Sequence, residues 1–508
     1  MNLYQKLNCK SARLGFCFYI LLTPVILLSQ KPNVIIVYAD DLGYGDLSCY
    51  GATKLKTPGI DKLAAKGIRF TRVYSSSATC TPSRYSLMTG TYAFRKSGTG
   101  VLPGDAALII DPKSTTLPKI FKQSGYHTAI VGKWHLGLGQ SVDKNWNEKI
   151  SPGPNEIGFD YSYIFPATAD RVPTVFMENG EVIGLSKSDT IKVSYKEKIG
   201  KEPTGKENPE LLKLKNSANH GHDQTIVNGI GRIGFMTGGQ SARWTDEEIS
   251  TTFLAKSLEF IENNKNHPFF LFFSLTEPHV PRMPASMFKG KSGLGLRGDA
   301  ILQIDWTIKQ LMEKLEYFGI DKNTIVILTS DNGPVLDDGY EDGAVSQLSD
   351  HTPSGILRGG KYSIYEAGTR VPFIVHWPKK IKSAQVSSAL VSQVDFISSF
   401  KELLKISDSA ETTDSENHWD AFTGKSKKGR EKLIVHAGTL ALIHGDWKYI
   451  HPSGGQMMSV LTNIELGNRP YPQLFNLSND PGEKVNLASQ NIDKIKTMEA
   501  ELAEIKNK

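Results

Sequence analysis

Two pairs of oxygen-bearing side chains and one cysteine stand out in this sequence for the chemistry they could do together. Asp40-Asp41 and Asp331-Asn332 each follow directly on an apolar, β-branched run, as Ala-Asp-Asp-Leu-Gly and Thr-Ser-Asp-Asn-Gly. Four oxygen donors without thiolate or imidazole suit a hard divalent cation, Ca²⁺ or Mg²⁺, rather than zinc. Either pair alone reads as turn or capping chemistry; the repetition of the same context favours metal ligands. Cys80, in Cys80-Thr81-Pro82-Ser83-Arg84, adds a nucleophile with an arginine about one helical turn on. In Gly132-Lys133-Trp134-His135 a lysine and a histidine stand two apart. On an extended segment they leave the same side of the chain.

The cysteine segment continues as Tyr85-Ser86-Leu87-Met88-Thr89-Gly90, and here the chain resembles the type I sulfatases. Further motifs of that family occur in the right order, so the resemblance covers nearly the whole chain after residue 31. It implies that a maturase oxidises Cys80 to formylglycine (3-oxoalanine), whose hydrated aldehyde is a geminal-diol nucleophile. It also implies one calcium ion per chain, held by Asp40, Asp41, Asp331 and Asn332 together with the modified residue at Cys80. Arg84 would orient the diol, Lys133 would bind the sulfate, and His135 would take a proton from the second hydroxyl.

His279, in Thr276-Glu277-Pro278-His279, matches the family's sulfate-side histidine, and Lys361, in Arg358-Gly359-Gly360-Lys361, its second lysine. One or both would protonate or stabilise the departing sugar oxygen. Outside these motifs a lone histidine or lysine reads as a surface or core residue. By analogy with phosphoryl transfer, positioning and charge compensation carry most of the rate.

The family's Glu-Gly-Gly reads Glu366-Ala367-Gly368 here, and the segment is taken as structural, with Arg370 pairing to a buried carboxylate. Leu474-Phe475-Asn476-Leu477, Asp480-Pro481 and Asn486-Leu487 resemble the closing family signature and imply packing rather than catalysis. The expected activity is hydrolysis of a sulfuric ester. The alternatives are a formylglycine-dependent phosphonate or phosphodiester hydrolase, and a catalytically dead glycan-binding relative. The last predicts loss of Cys80, Arg84, Lys133, His135 or Lys361, and all are present.

Substrate choice is less constrained. Asp170-Arg171 suits bidentate recognition of sugar hydroxyls or a second anionic group, or else forms a surface ion pair. His220-Gly221-His222-Asp223 reads as a second contact or as a solvated loop, and Arg297 is expected to face the same pocket. The flanking motifs resemble those of bacterial exo-acting sulfatases of galactose-type sugars. That implies a 4-O- or 6-O-sulfated galactose or N-acetylgalactosamine at the end of a glycan.

These residues need a scaffold that brings strand ends together. Short apolar runs alternate with amphipathic segments, which predicts an α/β fold with a mostly parallel sheet flanked by helices. The resemblance implies a large alkaline-phosphatase-like α/β/α sandwich. Strands are expected at 34–39, 68–74, 127–131, 269–273, 324–329 and 371–376. Helices are expected after Thr57 as N-cap with Pro58 first, over 246–264 and over 300–318. Ligands in open α/β sheets bind at the carboxyl ends of strands. The Gly-, Lys- and Asn-rich stretch of about 141–245 reads as an insertion over that face of a catalytic domain spanning 31–385. Residues 386–508 read as a small C-terminal α+β domain with an antiparallel sheet.

Lys6, Lys10 and Arg13 precede an apolar run from Leu14 to Leu28, and no acidic residue appears before Asp40. Residues 1–30 therefore read as an export signal for the periplasm or exterior, with no membrane span in the mature protein; an uncleaved anchor is the other reading. Of four cysteines, Cys9 and Cys17 fall in that segment, so conversion of Cys80 leaves Cys49 unpartnered and no disulfide framework. With 39% hydrophobic and 22% charged residues the composition is that of a globular protein. A formal charge of +6 fits an anionic substrate such as a sulfated glycan and calls for no nucleic-acid partner.

Overall fold

The computed structural model describes residues 31–407 and 414–507. The expected signal over 1–30 lies outside the described residues. Among them the largest sheet has ten strands. In chain order these are β1 (Asn33–Ala39), β2 (Ile68–Phe70), β3 (His127–Lys133), β4 (Tyr161–Phe165), β5 (Met177–Glu178), β6 (Glu181–Val182), β7 (Phe269–Ser274), β8 (Thr324–Ser330), β9 (Phe373–His376) and β10 (Gln385–Ser387). Their spatial order is β10-β2-β9-β8-β1-β7-β3-β4-β5-β6. The central run β8-β1-β7-β3-β4 is parallel, whereas β9 runs antiparallel against both β8 and β2.

The central strands are apolar on both faces, as burial on both sides demands. One face packs on α2 (Cys80–Thr89), α3 (Leu117–Gln123) and α6 (Phe396–Leu404) through Leu87, Phe121 and Phe400. The other packs on α1 (Pro58–Ala65), α4 (Ile249–Asn264) and α5 (Gly295–Tyr317) through Leu63, Phe253 and Ile301. Register decides where the chemistry emerges. Gly132, Ser274, Tyr38 and Thr329 lie in one row across β3, β7, β1 and β8. The residues just beyond that row therefore surface together. Gly132 itself has φ +119°, and a Cβ there would stand 1.7 Å from the Ser274 carbonyl oxygen.

Several expectations shift in detail. The strand expected over 68–74 is interrupted, with β2 in the large sheet and Val73–Tyr74 paired to Val391–Ser392. Thr57 precedes α1, but its hydroxyl bonds Ser48 and Asp61 rather than capping the helix. The stretch over 141–245 is not wholly an insertion, since β4 extends the parallel sheet and β5 and β6 extend it further. Residues beyond 385 still belong to the large layer, because β10, α6 and Trp419–Phe422 all pack there. The small antiparallel sheet begins only at Lys432, with strands Lys432–Ala437, Thr439–His444, Trp447–Ile450 and Gln473–Asn476. Helix Ile492–Asn507 covers it, and Leu474, Phe475 and Leu477 of the closing motif are buried in its core.

A buried ion network joins the two sheets. Glu366 accepts from Tyr74 Oη at 2.6 Å, Lys448 Nζ at 3.0 Å and Arg370 Nη1 at 3.2 Å. Lys448 also meets Glu483 at 2.9 Å, and Glu483 accepts the Glu366 backbone N–H at 2.6 Å. Arg370 thus pairs with a buried carboxylate, as its motif implied. Removing one member strands its partners in a medium that solvates charge poorly. Lys448→Ala should cost about 3–5 kcal/mol of stability, measured by denaturant unfolding, while Lys432→Ala on the half-exposed surface of the same sheet should change it little.

Candidate active site

The site is assembled at the carboxyl edge of the parallel strands. Asp40 and Asp41 follow β1, Asp331 and Asn332 follow β8, Lys133 ends β3, and His279 lies five residues beyond β7. Cys80 opens α2, a helix buried along its whole length. A helix amino terminus carries partial positive charge, so an anion approaching residue 80 is favoured before any side chain is counted.

Three buried carboxylates face one another. Burial, with Asp331 adjacent, pushes Asp40 well above the usual carboxylate range. Burial likewise raises Asp41, against the pull of Lys361. Burial would raise Asp331 too, but Arg84 and Lys133 outweigh it and hold this carboxyl low. Arg84 reaches Asp331 Oδ2 with Nη2 at 2.9 Å and Nε at 3.1 Å, and Ser274 Oγ with Nη1 at 2.7 Å. Lys133 Nζ lies 2.5 Å from Asp40 Oδ2 and 3.9 Å from Asp331 Oδ2. Lys361 Nζ bridges Asp41 Oδ2 at 2.9 Å and Asp338 Oδ2 at 2.8 Å.

The histidines are held neutral with defined tautomers. His135 Nε2 lies 2.9 Å from the Leu102 carbonyl, which can only accept, so Nε2 carries the proton and the buried, unpartnered Nδ1 is a bare acceptor. Burial, then Lys133 and Arg171, depress its protonation. His279 is the mirror case. Its Nδ1–H donates to Val280 O at 2.7 Å, leaving Nε2 free 3.9 Å from Asp41 Oδ2. Burial, Lys361 and Lys133 keep it neutral. Burial also pushes the Cys80 thiol up, although Lys133 opposes it, so the unmodified side chain is a weak nucleophile.

These groups open into a cleft of about 370 Å³ lined by Cys80, His135, Asp170, Arg171, His220, His222, His279, Asp338, Lys361 and Tyr362. A hairpin of the C-terminal unit, with strands Met458–Ser459 and Ile464–Glu465, supplies the opposite wall through Gln456, Ser459, Leu461 and Thr462. A cleft of about 430 Å³ near His127 and Asp160 lies at the amino ends of β3 and β4, remote from this chemistry.

A family profile described as Sulfatase matches residues 32–406. The chain belongs to the sulfatase family. It is 51% identical over 484 residues, 94% of each chain, to an N-acetylgalactosamine-6-O-sulfatase of Bacteroides thetaiotaomicron. It is 28% identical to human arylsulfatase A over 91% of this chain and 84% of that one. Among solved structures, a Bacteroides thetaiotaomicron sulfatase described in work on metabolism of multiple glycosaminoglycans superposes with a TM-score of 0.93. That match has 50% identity and covers 94% of this chain and all of the other. The protein is accordingly a sulfuric ester hydrolase.

The sulfatase family is metal-dependent, and the donor set here fits a cation. Ligand atoms of Asp40, Asp41, Cys80 and His279 lie within 4.8 Å of one another. Asn332 Nδ2 donates to Asp41 Oδ1 at 2.7 Å, while Asn332 Oδ1 is buried without a hydrogen-bond partner. An orphaned acceptor beside crowded carboxylates is what a positive ion would satisfy. His279 Nε2 joins the group, which the all-oxygen reading of the sequence did not anticipate. Asp331, by contrast, has one oxygen committed to Arg84.

The remaining expectations separate cleanly. Asp170 and Arg171 line the cleft and pair with each other at 3.0 Å, and His222 Nε2 lies 2.9 Å from Asp170 Oδ2. Burial would raise Asp170, but Arg171 and His222 outweigh it and hold it well below the usual range. His220 also lines the cleft, with Nε2 3.0 Å from Leu461 O of the hairpin. Arg297 does not face the pocket. It is buried behind the Asp40-Asp41 turn, with Nη1 and Nη2 at 2.8 and 2.6 Å from Asp46, because α5 begins beneath that turn. Lys133 and His135 do reach one site, but not from one extended face: His135 has φ 58° and turns the chain.

Asp338, Tyr362 and the hairpin were not legible as site residues. Asp337-Asp338-Gly339 reads as a turn, and only folding sets it on Lys361. Stripping divalent cations with a chelator should lower the melting temperature, and adding them back should restore it. A ligand at about a hundredfold excess over its Kd adds roughly 2.7 kcal/mol, readable by thermal unfolding with and without EDTA.

Proposed function

We propose that the sulfatase removes a single sulfate from the terminal residue of a sulfated glycan, with 6-O-sulfated N-acetylgalactosamine as the favoured unit. The observation that carries this reading is the 51% identity, over 94% of both chains, to a protein named for that activity. The cleft supports it. It is lined by the segment bearing Asp170 and Arg171 and by the C-terminal hairpin, and its volume of about 370 Å³ lies in the range of small-ligand sites. The Asp170–Arg171–His222 group offers acceptors and donors together, as sugar hydroxyls require.

In this reading residue 80 acts as formylglycine, made by a maturase, and the cation is calcium, which the carboxylate and amide oxygens suit. Bound calcium supplies charge compensation for the sulfate oxygens and lowers repulsion among the carboxylates. Lys133 and Lys361 lie where they can neutralise the remaining sulfate charge. One hydroxyl of the hydrated aldehyde attacks sulfur, giving its proton to Asp40, whose Oδ1 lies 3.7 Å from Cys80 Sγ, and the bond from sulfur to the sugar oxygen breaks. That oxygen takes a proton from Lys361, with His279 beside it to stabilise the departing group. His135 Nδ1, the bare acceptor, then removes the proton of the second hydroxyl, so that sulfate leaves and the aldehyde is restored. Export, through the segment 1–30, would place this activity where polysaccharides are met.

The deciding experiment incubates matured protein with N-acetylgalactosamine or galactose carrying sulfate at one defined position and measures free sulfate. Release from the 6-sulfated N-acetylgalactosamine alone is expected; release only from a 4-sulfated isomer would overturn the position. Cys80→Ala should abolish turnover with the melting temperature retained, and mass spectrometry of the peptide spanning residue 80 should show the aldehyde in the active protein. Asp170→Ala should weaken hydrolysis of the sugar ester far more than that of an aryl sulfate. Equal losses on both would make the pair structural.

A further inference from the structure

The metal turn poses a geometric problem. Consecutive side chains on a strand leave opposite faces, yet Asp40 and Asp41 both present oxygens to one centre. The chain achieves this by entering the left-handed region at Asp41, with φ 63°. An aspartate tolerates that conformation without preferring it. Something must hold it.

The contacts behind residues 41–46 show what does. Asp46, fully buried, accepts the Gly43 N–H on Oδ2 at 2.7 Å. It takes Arg297 in a fork, 2.8 Å to Oδ1 and 2.6 Å to Oδ2, and His351 Nε2 at 2.9 Å on Oδ1. The same Arg297 Nη2 lies 3.5 Å from the Asp41 carbonyl oxygen. Gly45 N donates to Pro353 O at 2.7 Å. A Cβ on Gly43 or Gly45 would stand 2.2 Å from the backbone oxygens of Pro353 or Thr352, so the turn is seated directly on backbone. Three segments, 41–46, 295–297 and 351–353, therefore lock together, and Asp46, Arg297 and His351 are all absent from the cleft lining. Arg297 is neutralised by Asp46, so what this group lends the turn is shape rather than net charge.

We propose that Arg297, Asp46 and His351 form a positioning clamp that sets the protein's affinity for its cation by holding Asp41 in chelating geometry. The inference rests on the calcium reading above. None of the three touches substrate; they act through the turn. Contacts of this outer kind typically change metal affinity by about 10–100-fold.

The test is calorimetric titration of Ca²⁺ into full-length, chelator-stripped protein, with melting temperatures recorded in EDTA and in Ca²⁺. Arg297→Lys keeps the charge but loses the fork, and the paired change Asp46→Leu with Arg297→Met removes both charges at similar volume. Both should bind Ca²⁺ about tenfold or more weakly, while the melting temperature in EDTA stays near that of the unaltered protein. Ca²⁺ affinity indistinguishable from wild type in either folded variant would overturn the clamp. If the paired variant does not fold, Arg297→Lys decides. Unaltered protein that binds no Ca²⁺ would instead overturn the calcium reading, so the two failures are separable.

Discussion

Mutual repulsion among Asp40, Asp41 and Asp331 is the constraint around which the rest of the molecule is arranged. Three buried carboxylates at two adjacent strand ends could not persist in so dry a place without compensation. The protein supplies it as Arg84 and Lys133 on one side and Lys361 on the other. Each comes from a different part of the sequence: Arg84 from α2, Lys133 from the end of β3, and Lys361 from a turn in the loop after β8. The cations that hold the acids are therefore also the cations available to an incoming oxyanion. In the proposed mechanism, ground-state stability and catalytic charge compensation share the same side chains.

That economy has a conformational side. Asp41, His135 and Tyr362 all occupy the left-handed backbone region, with φ of 63°, 58° and 73°. Non-glycine residues rarely sit there, and a tyrosine least readily. At each of these positions the chain has just left a strand or a glycine-rich turn and must aim a side chain back toward the centre. Such strain persists only where the surroundings over-determine it. The glycine at 132 and the seat under Gly43 and Gly45 are part of that surrounding.

Much of this was legible from residue types alone. Apolar runs ending in acidic or basic clusters located the strand ends, and the parallel-sheet rule brought them together before any distance was known. The reading failed where side chains needed tertiary context. Arg297 looked like a pocket residue because its neighbours in sequence are glycine-rich, but it lies in the first turn of α5, where burial against Asp46 gives it a different partner. Asp338 was hidden in a turn-like acidic run. The hairpin at 456–466 was invisible because its strands are two residues long and its position depends on docking of the C-terminal sheet. Tyr161–Phe165 was missed as a strand because polar neighbours masked its short apolar core. Motif spacing encodes what the main chain does locally; the second wall of the cleft is decided by packing between distant segments.

The burial of α2 has a consequence for the order of events in the protein's life. Cys80 is only 1% exposed, and every residue from Cys80 to Thr89 is buried. No second macromolecule can thread the Cys-Thr-Pro-Ser-Arg segment into its own active site while that helix is packed under the sheet. Any enzyme that alters residue 80 must therefore meet the chain before the helix docks, on a nascent or translocating polypeptide. Competition between modification and folding then becomes a kinetic race. In the proposed formylglycine reading, a chain that folds too quickly would be well structured yet lack its nucleophile.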